Sequence, residues 1–290
     1  MKTYTGGFPI GFRRVRSEWQ NDLPALLEWA QANDLEVIDL GRDADTQVAQ
    51  VRSAGLRIGS ADLPEWQGMI SPDRARRADA IARNTAYIRA CSDAAGPLNY
   101  FLVMLPEKPD LPRAENFGYM VESFAELAAV LEETGSHLAI EGWPGPGALC
   151  CTPEGFRAFF REVPSPAMGI NYDPSHLLRM QIDPLRFLEE FADRVVHVHG
   201  KDTEFLSENL YEYGSELPPI FAERIRFGAI TWRYTIPGHG VMRWRKAFQI
   251  LADRGYQGCV SIELEDANFN GQPDTEQLGI LLGARFLSGC

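Results

Sequence analysis

The sequence predicts an α/β protein and, within that class, a (β/α)8 TIM barrel. Three observations carry this. Short apolar runs alternate with helical stretches from end to end, and no two strands follow each other directly, as parallel crossovers require. Eight strand-like segments are found, each followed by helical material. The length of 290 residues suits one barrel of about 250 residues plus insertions. A doubly wound open sheet is the alternative, but no dinucleotide-type glycine fingerprint follows the first strand. The chain, 1–290, shows no linker, repeat or low-complexity tract and reads as a single domain.

Thr5 to Phe12 is the first strand, and Trp19 to Asn33 a helix with Leu23, Leu26, Leu27 and Ala30 at helical spacing. Leu35 to Gly41 is the second strand, Asp45 to Ala54 a helix ending at Gly55, and Leu56 to Ala61 the third strand. Ser71-Pro72 opens a helix to about Ala95, with serine as cap and proline in the first turn. Tyr100 to Leu105 is almost wholly apolar, as buried parallel strands are. An amphipathic helix follows from Phe117 to Glu133 and is closed by Gly135. His137 to Trp143, Met168 to Asp173, Val195 to His199 and Cys259 to Glu265 are the remaining strands. Helices starting at Thr152-Pro153 and Asp183-Pro184 separate the first three of these. Trp244 to Arg254 and Thr275 to Leu287 are the last helices. The longest irregular piece, around 203–237, is aromatic and acidic, and is expected to cover an active site.

A net charge of −12 argues against nucleic acid or an anionic membrane surface as partner. The first residues lack the apolar core of a signal peptide, and no apolar run is long enough to span a bilayer. Cys91, Cys150, Cys151, Cys259 and Cys290 are scattered, as in a reducing compartment. The expectation is a cytoplasmic protein.

In a barrel the chemistry lies at the C-terminal ends of the strands. Glu141, Asp173, His199 and Glu263 stand there, each directly after a residue (Ile140, Tyr172, Val198, Ile262) that would face the helices. Period-two alternation then turns the acids and His199 toward the barrel axis. Three carboxylates in one mouth repel each other unless a cation sits between them. Two glutamates, an aspartate and a histidine suit Mn²⁺ or Mg²⁺, with Co²⁺ or Zn²⁺ less favoured. His197 points the same way one layer deeper, where a core hydrogen bond outweighs ligation.

These residues fall in motifs: Ile140-Glu141, Tyr172-Asp173-Pro174-Ser175-His176, His197-Val198-His199-Gly200-Lys201-Asp202, Pro237-Gly238-His239-Gly240 with Trp244, and Ser261-Ile262-Glu263. Together they resemble the xylose isomerase-like barrels of the sugar phosphate isomerase/epimerase family. The resemblance implies one divalent metal on Glu141, Asp173, His199 and Glu263. It implies that Glu141 and Glu263 form the catalytic acid/base pair and that His176 meets a substrate oxygen. The expected activity is a metal-dependent sugar isomerase or epimerase, acting on a sugar, sugar phosphate or keto-polyol through an enediolate. A dehydratase or lyase acting on a keto-inositol or 3-keto-glycoside is the alternative, since the same metal site can expel a β-hydroxyl. An endonuclease IV-like repair enzyme shares the barrel but needs further histidines, and the third and fourth strand ends, Ser60 to Pro64 and Met104 to Glu107, have none.

Lys201 and Asp202 are candidates either for substrate contact or for a mutual pair at the rim. Trp143 and Trp66, each after a strand, are candidates to stack on a sugar ring or to pack the mouth. His239 stands where the family motif often carries an acid, and its role is left open. The expected partner is a small carbohydrate, and a homo-oligomer is in keeping with the family.

Overall fold

The computed structural model describes residues 1–290. Eight parallel strands close a barrel in the order β1, β10, β7, β6, β5, β4, β3, β2. They are β1 (Ile10–Arg13), β2 (Val37–Leu40), β3 (Arg57–Asp62), β4 (Asn99–Val103), β5 (His137–Glu141), β6 (Met168–Tyr172), β7 (Val195–Gly200) and β10 (Val260–Ile262). The remaining two, β8 (Asp202–Phe205) and β9 (Trp232–Thr235), form a separate antiparallel pair. The barrel strands are short and nearly all buried, β2 and β6 at every position, as continuous Val/Ile/Leu-rich parallel strands are. No helix is long and apolar enough to cross a membrane.

Contacts divide the chain into two compact units. One comprises Met1–Val37, Asp173–Glu189 and His199–Cys290. Here β1 pairs with β10, Ile10 opposite Val260 and Phe12 opposite Ile262. Gly11 is required by backbone proximity: a Cβ there would lie 1.9 Å from the Val37 carbonyl oxygen. The other unit comprises Ile38–Tyr172 and Glu190–Val198. It pairs β5 with β6 so that Glu141 faces Asn171, and β6 with β7 so that Asn171 faces His197.

The helices begin where short polar side chains can cap exposed N–H groups. Asp22 accepts from Ala25 N at 3.1 Å and Thr152 from Gly155 N at 3.3 Å. Asp183 accepts from Leu185 N at 2.9 Å and Arg186 N at 3.1 Å. Gly135 ends the helix Arg113–Thr134 in the left-handed region at φ 67°.

Two expectations are corrected. The helix expected from Ser71 begins at Arg74, because Asp73, not Ser71, accepts from Ala75 N at 2.8 Å. The stretch around 203–237 is not irregular throughout: β8 and β9 pair across it, Asp202 opposite Thr235, and a helix Ser207–Tyr213 lies between them. Such a pair joins residues far apart in sequence, so local periodicity gives no sign of it.

Candidate metal centre and active site

Asp173 directly follows β6 and caps the short helix Pro174–Arg179. Its Oδ1 accepts from Ser175 N at 2.9 Å and from Ser175 Oγ at 2.6 Å. Its Oδ2 is buried and has no well-formed hydrogen bond. Around that oxygen lie Lys201 Nζ at 3.2 Å, His176 Nε2 at 3.3 Å and His199 Nδ1 at 4.0 Å. His199 Nδ1 is also 3.4 Å from Glu263 Oε2. Asp173, His199 and Glu263, expected from strand-end position, thus meet within one unit, and His176 joins them.

Lys201 is the centre of charge in this cluster. A lysine that is 1% exposed is rare unless its ammonium is compensated. Lys201 Nζ contacts Glu263 Oε2, reaches Glu265 Oε2 at 3.0 Å and lies 4.7 Å from the Tyr234 ring centroid. Glu263 Oε1 is held by Arg13 Nε at 3.1 Å. Burial pushes the Glu263 carboxyl up, but Lys201, His199 and Arg13 outweigh it and hold the group well below the usual carboxylate range.

The mutual pair, one of the two readings of Lys201 and Asp202, does not form, and the two side chains part. Lys201 turns into the acids, while Asp202 staples the loop that precedes the helix Trp244–Asp253. Asp202 Oδ1 accepts from Thr203 N at 2.8 Å and Met242 N at 2.9 Å, and Oδ2 from Trp244 Nε1 at 3.1 Å. Burial pushes its carboxyl up against the pull of these donors. His239 is exposed, with its ring 6.1 Å from that of Phe269.

The second unit holds Glu141 at the end of β5, buried, with Oε2 accepting from Asn171 Nδ2 at 2.8 Å. In the same unit His197 Nε2 lies 2.9 Å from Asp39 Oδ2, and Asp39 Oδ1 accepts from Ser60 N at 3.1 Å. His197 is therefore engaged by a core carboxylate. Trp66 lies under the Arg42 guanidinium at 5.9 Å, and Trp143 packs so tightly on Gly145 that a Cβ there would be 2.0 Å from its ring.

Four side chains of the first unit's cluster escaped the sequence reading. Glu265 shares the strand face of Glu263 two residues on, and Arg13 ends β1; both signals were present but ambiguous. Tyr234 and Arg179 were invisible, because the hairpin that brings Tyr234 to His176 is non-local. Tyr234 Oη lies 2.7 Å from His176 Nδ1 and accepts from Arg179 Nη1 at 2.6 Å.

The residues fit a hard divalent ion. Ligand atoms of Asp173, His176 and Glu263 lie within 4.8 Å of one another, and Asp173 Oδ2 is a buried oxygen with no well-formed hydrogen bond. The family described as xylose isomerase-like TIM barrel matches residues 18–288. The chain belongs to that family. Among curated relatives, inosose dehydratase of Bacillus thuringiensis (strain Al Hakam) is 26% identical over 151 residues, 52% of this chain and 48% of that one. The chain spans between 34% and 48% of the length of the first curated relatives it matches. Among solved structures, 3-keto-D-glucoside 4-epimerase from E. coli superposes with a TM-score of 0.70 at 14% identity, over 98% of this chain and 100% of that one. The IolI protein, solved with a bound zinc atom, gives a TM-score of 0.65 at 15% identity, over 96% and 95%. At these identities the two structures establish the shared barrel fold.

Proposed function

We propose that this chain is a metal-dependent carbohydrate isomerase or epimerase that moves a proton beside a ketone through an enediolate. The observation that carries the reading is the buried convergence of Asp173, His199 and Glu263 around Lys201. In this reading Glu141 completes the ligand set Glu141, Asp173, His199 and Glu263, as supported by its place at the end of β5, the strand next to β6. A divalent ion held there, Mn²⁺ first and Mg²⁺, Co²⁺ or Zn²⁺ after it, supplies Lewis acidity that acidifies the C–H beside the ketone and stabilises enediolate charge.

Glu141 and Glu263 are the proton-transfer pair. Asn171 donates to Glu141 Oε2, which fixes the orientation of that carboxylate at the end of β5. Glu263, crowded by Lys201, His199 and Arg13, stays ionised and gives up a proton readily once it has one. Delivery to the neighbouring carbon isomerises, and delivery to the opposite face epimerises. His176 and Lys201 meet substrate oxygens, while Trp143 and Trp66 offer apolar walls for a sugar ring.

A second reading, a dehydratase or lyase acting on a keto-inositol or 3-keto-glycoside, is favoured by the stretch shared with inosose dehydratase. It shares the enolising step and differs in expelling a β-hydroxyl. Both are tested by incubating the Mn²⁺-loaded protein with ketoses, keto-inositols and keto-glycosides in D₂O. Deuterium at one carbon beside the carbonyl is expected for at least one compound, and loss of water from it selects the dehydratase. No exchange across the whole panel refutes enolisation.

A further inference from the structure

We propose that Phe205–Phe221 is a dimer interface, in which the Leu217–Phe221 tip of each of two copies seats in an apolar cavity beside the same segment of the other. The case starts from exposure. From Phe205 to Phe221 the chain exposes seven large apolar side chains, against four in all the rest of it. Phe221 is 94% exposed, Tyr211 89%, Ile220 87% and Leu217 78%. A single exposed leucine is ordinary, but such a concentration marks a surface that something else covers. The helix Ser207–Tyr213 agrees, because none of its residues is buried. Isolated helices shorter than about 12 residues are marginal in water, and most helices are held by an apolar face packed on a neighbour. Asn209 Nδ2 ties this one to the Ile230 carbonyl at 2.8 Å, while Leu210 and Tyr211 stay exposed.

The occupant is a second copy because the segment carries both halves of one joint. A cavity of about 570 Å³ is walled by Leu178, Ile182, Pro184, Phe205, Leu210 and Trp232, all of the first unit. Ser215 also lines it, so the tip projects from the rim of the recess. A two-fold interface needs this self-complementarity, since one patch meets its own copy. The area suffices as well. An aromatic side chain buries about 150–250 Å², so Tyr211 and Phe221 supply roughly 300–500 Å² per copy. Leu210, Leu217 and Ile220 raise this toward the roughly 800 Å² per partner of a stable interface. Glu208, Glu212, Glu216 and Glu223 stand among the apolar residues and turn away nucleic acid or an anionic membrane. Arg224 and Arg226, exposed directly beyond them, supply the bases that a second copy sets against these acids. The interface owes nothing to the enolising reading.

The test is sedimentation of the full chain across a wide range of concentration, with amide hydrogen exchange read in parallel. Wild type is expected to be a dimer that dissociates on dilution, with the amides of 207–221 slowed in the dimer and fast in the monomer. Phe221→Asp enters such an interface twice, and is expected to weaken association by about 100-fold or more while the far-UV spectrum is unchanged. Tyr4→Asp, at a residue 82% exposed outside the segment, is the control and is expected to leave the dimer intact. A wild type that stays monomeric, a Phe221→Asp variant as dimeric as wild type, or a control that weakens the dimer equally each overturns the inference. A monomeric wild type whose 207–221 amides slow only when a ketose is added also overturns it, by assigning the cover to substrate.

Discussion

Replacing Lys201 by methionine removes the only lysine that faces Asp173, Glu263 and Glu265 and keeps most of its apolar stem. Each contact near 3 Å represents about 5 kcal/mol of gross attraction at an effective dielectric of about 20. Most of this is offset by the cost of burying the ions. The net loss on deleting one partner of a buried cluster is about 3–5 kcal/mol, because the carboxylates left behind are uncompensated. Glu265, one-third exposed, adds little, so the lower half of that range is expected. That corresponds to a fall in Tm of roughly 6–16 °C for a chain of this size. The assay is thermal unfolding of chelator-treated wild type and Lys201→Met, repeated with Mn²⁺. Saturation at about 100 times Kd returns about 2.7 kcal/mol to any protein that binds only when folded. Lys201→Met is expected to gain more from Mn²⁺ than wild type, because its carboxylates have lost their internal cation. A variant as stable as wild type without metal, with no larger response to Mn²⁺, would refute the view of Lys201 as the charge that holds the acids together.

Other perturbations separate the scaffold from the site. Asp202→Asn puts an amide donor against Trp244 Nε1 or the backbone N–H groups of Thr203 and Met242, and is expected to cost about 1–3 kcal/mol in urea unfolding. Gly11→Ala cannot be seated without moving the Val37 carbonyl, and a loss of about 3 kcal/mol or more is expected as reduced soluble yield and a lower Tm. Burial pushes the Cys91 thiol up to about 11 from 9.0, so the folded state favours its neutral form. That stability is complete below pH 9 and is lost as pH rises toward 11, so Cys91→Ala should show a shallower decline than wild type in unfolding measured across this window. An equal slope in the two proteins would contradict the shift.

The fold was legible because a parallel barrel writes itself locally. Tyr100 to Leu105 is an unbroken apolar run between Asn99 and Pro106, and the caps Asp22, Thr152 and Asp183 stand beside their helices. The strand-end acids were legible for the same reason: Glu141 and Glu263 each follow an isoleucine, and alternation alone decides their face. The parts that escaped are those in which distant segments meet. Nothing near Tyr234 announces that it will reach His176, because that depends on β9 pairing with β8. Lys201 and Asp202, adjacent in sequence, part at the junction of two strands, and adjacency alone gave no way to assign their separate partners.

That junction ties the site to its cover. Lys201 lies between Gly200, the last residue of β7, and Asp202, the first of β8, so one turn of backbone sends an ammonium among the acids and a carboxylate into the loop beyond β9. The stapled loop is held by Asp202 through Met242 and Trp244, and the same hairpin presents Tyr234 to His176. Damage to the staple should therefore reach the imidazole through the hairpin, without touching any ligand. Asp202→Asn is accordingly expected to loosen the contact between Tyr234 and His176 as well as lower stability, read as a shift of the His176 ring signals in NMR. Gly11→Ala, which strains β1 against Val37, should lower stability and leave those signals in place. If both variants altered His176 equally, the coupling would be general unfolding and not the hairpin.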